Sequence, residues 1–466
     1  MVDTSENHDI PFYHRRNPFE SPLWNVVDRY YDEFERVYPE RYEKTYGYWR
    51  PVIGDVIGKY LLCGDLREGF ARVRCEDCGK EHFVAFSCKQ RLFCPSCAQK
   101  RILELATHTQ EEVCEKVPHR QFVFTIPKRL RIFFRYDREL LKELPKLAWE
   151  LVREIYQVVV KREDAIPGMI ATVQTFGELA HFHPHVHTVV TDGVFTPDGT
   201  FIPFLEMAVE PFLKLWENKV FALLLKKEKI TQDVVDQMRR WRHSGFSVHK
   251  KVLITEDDPK GLENLIQYIA RCPFSLSRMI KITDNGQVIY KTEHGGCHKF
   301  PDPASDDLKG GVARNFQIFD PLDFLAEITQ HIPEPRAHTI RYFGWYSNKK
   351  RGCRKKQIAS QDEVEEVVIN DDDTPYRKLC RSRWSALIRK VYEVNPLKCP
   401  DCGGEMKFIA FIEKEDQEDI IEKILKHCNL WIEPKARVSP GAPSGEDVDF
   451  ILEPTYIPID EFLANF

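Results

Sequence analysis

The sequence predicts an α+β fold in which helices flank a central antiparallel sheet, with a zinc ribbon near the N-terminus and a small module at the C-terminus. Three observations carry this expectation. Strand-like and helix-like segments mix without strict βαβ order, which disfavours a doubly wound sheet. Two Cys-x2-Cys pairs stand close together, at Cys75/Cys78 and Cys94/Cys97. A third pair, Cys399/Cys402, follows an acidic stretch that reads as a linker.

Taken in order, residues 1–60 are rich in aromatics and read as irregular structure plus helix, notably from Trp24 to Tyr46. Residues 61–117 form the predicted ribbon domain, closed by a helix from Arg101 to Val117. Residues 118–361 form the predicted catalytic domain, with strands over 121–126, 169–176, 183–190 and 247–255. Its helices are expected over 139–161, about 211–241 and 259 onward. Residues 362–374 are the linker and 375–466 the C-terminal module.

Composition sets bounds. A chain of 466 residues, 42% hydrophobic and 12% aromatic, can build two to four cores. No apolar run of about 18 residues occurs, and the polar N-terminus lacks a signal-peptide core, so a cytoplasmic protein is expected. Fourteen cysteines in a reducing compartment point to metal ligation more than to disulfides. A net charge of −5 excludes a protein that coats nucleic acid by bulk electrostatics, and leaves room for local basic surfaces.

Each Cys-x2-Cys pair lets two thiolates reach one ion, and two pairs complete a tetrahedron. The spacing of Cys75, Cys78, Cys94 and Cys97 therefore predicts one structural zinc site that helps hold DNA. Cys63, His82 and Cys88 are left over, and His82 or Cys88 could replace one of the four. Cys399 and Cys402 form a further knuckle, for which Cys380, His427 or Cys428 could complete a second zinc site.

The segment from His181 to Val190 is the most informative. Side chains alternate along a strand, so His183, His185 and His187 share one face while Val186 enters the core. Two imidazoles at i and i+2 can share a divalent ion, magnesium or manganese on chemical grounds, with positions left for a phosphate oxygen. Glu178 is the first choice of third ligand, with His183 and Gln267 as alternatives. Pro184 places this strand at a sheet edge or a bulge.

Asp258 and Pro259 cap a helix whose stripe is Leu262, Leu265, Ile266 and Ile269. Tyr268 lies at the edge of that stripe, where its ring can pack while its hydroxyl stays exposed. Beside a metal it supplies a nucleophile for phosphorus, and Arg271, one turn along, can steady a phosphate. Basic clusters expected to contact phosphates are Lys128, Arg129 and Arg131, then Arg239, Arg240 and Arg242, then Lys349, Lys350 and Arg351.

These residues resemble a known family. His185-Val-His187 is similar to the His-hydrophobic-His motif of HUH single-strand endonucleases. The order of cysteine ribbon, histidine strand and tyrosine helix resembles rolling-circle transposases of the insertion-sequence ninety-one type. Ser87 to Cys97, Phe122 to Arg129, Tyr268 to Arg271, Arg341 to Asn348 and Asn395 to Gly404 add to the likeness, which covers about residues 60–430. It implies an HUH nuclease core that nicks single-stranded DNA at the ends of a mobile element. A covalent 5′-phosphotyrosine would form and pass the strand to target DNA, in a nucleoid-associated protein. Family members often carry a second tyrosine four residues after the first, whereas Cys272 stands there in this chain. Tyr342 and Tyr346 remain alternative nucleophiles.

Three other readings share part of this pattern. A relaxase or replication initiator would use the same chemistry. A histidine-triad nucleotide hydrolase would use His185 as nucleophile and dispense with Tyr268. A non-catalytic zinc protein would bind DNA without cutting it.

Overall fold

Apolar spacing dictates the first helices of this computed structural model, which describes residues 18–90, 92–177, 179–204, 208–250, 252–283, 286–292, 298–299, 313–359 and 398–433. Glu178, the linker and Cys380 lie outside them. Helix α1 (Pro22–Arg41) buries Leu23, Val27, Phe34 and Tyr38 along one face, with proline in the first turn, where a missing amide costs nothing. Helices α2 (Glu43–Tyr46) and α3 (Val52–Leu61) follow. Together they share a core with Tyr290, Phe324, Leu325 and Ile328, so the N-terminal segment packs against residues nearly 300 positions away.

The cysteine-rich unit is built on β1 (Gly69–Cys75) and β2 (Glu81–Ala85), an antiparallel pair, followed by α4 (Pro95–Glu112).

The central sheet starts with β3 (His119–Thr125), after which α5 (Arg131–Tyr136) and α6 (Glu139–Val160) lead to β4 (Gly168–Phe176) and β5 (Phe182–Thr191). A hairpin of β6 (Gly193–Phe195) and β7 (Phe201–Pro203) precedes α7 (Glu210–Lys226) and α8 (Gln232–Arg239). The helical stretch expected over 211–241 is thus two helices. Next come β8 (Ser247–His249), β9 (Leu253–Ile254) and α9 (Pro259–Ile269). A small three-stranded sheet is made of β10 (Met279–Ile282), β11 (Val288–Lys291) and, beyond the pair β12 (His298–Lys299) and β13 (Ala313–Arg314), β14 (Phe316–Phe319). Helix α10 (Pro321–Thr329), strand β15 (Ile340–Gly344) and helix α11 (Asn348–Ala359) follow.

The order across the central sheet is β15-β4-β5-β3-β8, with β9 also on β3, and every pairing is antiparallel. The expected α+β class with antiparallel sheets is therefore present. Phe122, Phe124, Val186 and Val190 face one side and are covered by α6 and α7. Ile170 and Val189 face the other, beneath Ala106 of α4 and Leu262, Leu265, Ile266 and Ile269 of α9.

Strand β5 is interior, so Pro184 does not mark an edge. The β4 register shifts between Gln174 and Phe176, and the β3 ladder stops at Thr125 opposite His185. The proline thus sits at a bulge, past the last residue of β5 that β3 pairs with.

Among the described residues, the C-terminal module joins the sheet of the cysteine-rich unit. Strand β16 (Met406–Glu413) pairs antiparallel with β1, and α12 (Lys414–His427) places Ile421 and Leu425 against Phe70 and Phe83. Among the described residues no helix is long and apolar enough to cross a membrane.

Candidate active site and cysteine centres

Strand alternation places His183, His185 and His187 on the face of β5 that α9 overlies. His185 and His187 are buried, at 9% and 3% exposure. Their Nε2 atoms lie 3.0 Å apart. Two nitrogens held at right angles about 2.1 Å from a divalent ion would be separated by about 3.0 Å, so the pair fits one such ion.

Hydrogen bonds orient both rings. His185 Nδ1 donates to the His183 carbonyl at 2.7 Å, which leaves Nε2 with its lone pair. His187 Nδ1 lies 3.1 Å from the side-chain amide of Gln121 on β3. The nearer amide atom is Nε2, which donates to Nδ1; a metal on His187 Nε2 requires the amide reversed, with Oε1 accepting from Nδ1–H. Burial holds the His185 imidazole down to about 4 and the His187 imidazole well below its ordinary value. Both are therefore neutral, the form that binds metal.

Asp258 caps α9 by accepting from the Gly261 amide at 2.7 Å. The buried stripe Leu262, Leu265, Ile266 and Ile269 then fixes the helix's rotation. Tyr268, 39% exposed, is left facing the histidines, its ring 5.5 Å from that of His187 and at 90° to it. Arg271 stacks on the Tyr268 ring at 4.5 Å and on Phe176 at 5.5 Å. Gln174 pairs in register with His185 and donates to the Ile269 carbonyl at 2.9 Å, tying the C-terminus of α9 to β4. Its Oε1 is buried without a hydrogen-bond partner.

The other nucleophile candidates lie elsewhere. Tyr346 is fully buried, with its hydroxyl 2.7 Å from His119 Nε2. His119 opens β3 at the end opposite Thr125, about 20 Å along the strand from His185's level. Tyr342 bonds Thr109 of α4 at 3.2 Å. Cys272, where a second tyrosine could stand, is a thiol that burial pushes up to about 12. His183 is half-buried, its ring 5.2 Å from that of His185. Gln267 lies on α9 beside Tyr268.

The cysteines group differently from the expected single ribbon. Cys63, Cys88, Cys94 and Cys97 form one cluster, and Cys75, Cys78, Cys399 and Cys402 form another. The two Cys-x2-Cys knuckles of 75–97 therefore separate. Cys75 and Cys78 lie on the turn between β1 and β2, which faces the C-terminal segment, whereas Cys94 and Cys97 start α4 beside the α3–β1 connection that carries Cys63. Spacing alone joined them. The unused thiols Cys63 and Cys88 were the available signal. His427 and Cys428 are in neither cluster.

Two basic clusters meet: Lys128 and Arg129 are exposed beyond the Thr125 end of β3, and Arg129 stacks on Trp241 between Arg240 and Arg242 at 5.5 Å. Arg131 is partly turned inward, donating to the Ile126 carbonyl at 3.3 Å, and Arg239 pairs with Asn218 at 2.8 Å. Lys349 and Lys350 are exposed on α11, at the far end of the sheet, while Arg351 donates to the Tyr346 carbonyl at 3.1 Å.

Residues 168–354 match a family model described as a putative transposase, and residues 33–126 match the transposase zinc-binding domain. The chain is 26% identical over 380 residues to the transposase for insertion sequence element IS801 of Pseudomonas savastanoi pv. phaseolicola, covering 78% of this chain and 85% of that protein. It is 23% identical over 370 residues to the putative transposase y4qJ of Sinorhizobium fredii, covering 76% and 87% respectively. No solved structure matches.

Proposed function

We propose, for a chain that belongs to the insertion-sequence transposases with the transposase zinc-binding domain, that it cuts and rejoins single-stranded DNA through Tyr268. The family implies DNA strand cleavage and transfer; the covalent route is our reading. The observation that carries it is the placement of the Tyr268 ring against His187, whose Nε2 lies 3.0 Å from that of His185.

In this reading the central sheet is an HUH nuclease core. His185 and His187 hold a magnesium or manganese ion, which when bound polarises the scissile phosphate. His183, Gln267, Glu178 and the free Oε1 of Gln174 are the choices for a third ligand. The Tyr268 oxygen forms a bond to phosphorus, and the bond from phosphorus to the 3′ oxygen breaks. That oxygen leaves as a 3′-hydroxyl, carrying the proton the tyrosine gives up. A 5′-phosphotyrosine remains and keeps the bond energy for rejoining. Attack by a second 3′-hydroxyl reverses the step on a new strand and restores the phenol. Arg271 keeps the Tyr268 ring in place and offers its guanidinium to the phosphate. Lys128, Arg129, Arg240 and Arg242 guide the backbone past the Thr125 end of β3.

The test is a denaturing gel of the protein with end-labelled single-stranded DNA carrying its mobile element's terminus, with manganese present. An adduct is expected in the native protein and absent from Tyr268→Phe and from the His185→Ala, His187→Ala double variant. An adduct surviving Tyr268→Phe overturns the assignment. Hydrolysis of nucleotides by Tyr268→Phe would instead support the histidine-triad reading.

A further inference from the structure

We propose that the chain binds two zinc ions in separate four-thiolate sites, and that the second, made by Cys75, Cys78, Cys399 and Cys402, clasps residues 398–433 onto the N-terminal cysteine-rich unit. Cys399 and Cys402 lie outside both segments that match a family model.

Sulfur geometry is the first argument. Four thiolates about 2.3 Å from a tetrahedral zinc ion stand about 3.8 Å from one another. Cys78 and Cys399 are 3.7 Å apart, and Cys75 and Cys402 are 3.4 Å apart. These distances are far longer than the roughly 2.05 Å of a disulfide. The Cys63 cluster has the same spacing, with Cys63 to Cys97 at 3.7 Å and Cys88 to Cys97 at 3.6 Å.

Local backbone structure is the second. Cys75-Glu-Asp-Cys78-Gly79 and Cys399-Pro-Asp-Cys402-Gly403 share the pattern Cys-x-Asp-Cys-Gly although more than 300 residues separate them. Both fold into the same turn. The Cys75 amide donates to the Lys80 carbonyl at 2.8 Å, and the Cys399 amide donates to the Gly404 carbonyl at 2.8 Å. Gly79 and Gly403 each donate back to the first cysteine's carbonyl, at 3.1 and 2.9 Å. Both glycines take positive φ, +69° and +77°, which a side chain resists. Two matching turns facing each other present their four sulfurs to one point between them.

The surroundings need such a clasp. Among the described residues, the core at this end of the β1–β16 pair is Val73, Cys75, Cys399 and Met406. Around it are exposed ion pairs, Lys80 with Asp401 at 2.6 Å and Lys407 with Glu76 at 3.3 Å, which contribute little in water. An ion bound by thiolates from both segments supplies what so small a core does not. His82 and Asp401 border the site, 3.3 Å apart, without belonging to the thiolate set.

The experiment is metal content per chain on the purified full-length protein. Two zinc ions are expected for the native chain, and one for the Cys399→Ser, Cys402→Ser variant. One is also expected for Cys63→Ser, Cys88→Ser, and His82→Ala should keep both. Retention of the native zinc content by Cys399→Ser, Cys402→Ser would overturn the proposal and restore a site within residues 75–97. Cobalt titration of the metal-stripped native chain guards against a variant that misfolds. Two equivalents should bind with the absorption of tetrahedral thiolate cobalt, and saturation at one would refute the second site.

Discussion

Replacing Tyr346 by phenylalanine should destabilise the protein and leave its chemistry intact. The hydroxyl of Tyr346 completes a closed set of bonds. His119 Nε2 lies 2.7 Å from the Tyr346 hydroxyl and, in the neutral ring, accepts from it. The Tyr346 oxygen in turn accepts from the Glu115 amide at 3.2 Å. Phenylalanine keeps the ring, packed in the α9 core with Ile266 and Ile269, and strands the buried His119 Nε2 and the half-buried Glu115 amide. A buried unsatisfied group costs about 1–3 kcal/mol and the half-exposed amide less, so a loss of about 2–4 kcal/mol is expected. For a cooperative unit of about 200 residues that corresponds to a fall in melting temperature of roughly 5–10 °C. The assays are thermal unfolding and the covalent-adduct gel, run below the variant's transition. Adduct yield should match the native protein, since Tyr346 lies at the end of the sheet remote from His185. Loss of the adduct with unchanged melting would refute this reasoning and make Tyr346 the nucleophile.

Two further outcomes follow from the same geometry. His119 is held down to about 4 by burial, against an ordinary value near 6.5, so the unfolded chain takes up its proton first as pH falls. The stability this gives is full above pH 6.5 and is lost as pH drops towards 4, on the order of 2 kcal/mol of it between pH 7 and 5; His119→Gln should shrink the pH dependence of urea unfolding by about that amount, and an unchanged dependence would contradict it. Gln121→Leu removes the group that orients His187, so the manganese concentration giving half-maximal adduct should rise roughly 10–100-fold with the plateau kept; an unaltered manganese requirement would remove Gln121 from the site.

Local rules made much of the fold legible. Period-two patterning located β3, β4 and β5 to within two residues, because each buries one face under α6 and α7 while its polar positions face α9. The cap at Asp258 and the stripe of α9 were likewise readable, since both depend on neighbours within one or two turns. What failed was long-range. No local signal says that β16 pairs with β1, or that the N-terminal helices share a core with α10. Pro184 left two placements open for a similar reason: an absent amide is tolerated at an edge or at a bulge, and only the partner strands decide between them.

The histidine pair and the cysteine clusters show where sequence spacing can be trusted. The histidine pair sits on one strand, so backbone geometry alone puts His185 and His187 on one face, and the tertiary fold adds only Tyr268 above and Gln121 beside them. A Cys-x2-Cys knuckle is equally local, and each of the three is present as a turn or a helix start. Joining knuckles into sites is not local, because any two can be brought together by the chain between them. Cys75 and Cys94 are nearer in sequence, yet Cys75 lies across from Cys402 because β16 lies on β1. The leftover thiols held the missing information. Four cysteines in the 75–97 knuckles left Cys63 and Cys88 unused, and one knuckle at 399–402 left two ligands wanting. The eight thiols fall into two groups of four, with the knuckles of the presumed ribbon in different groups.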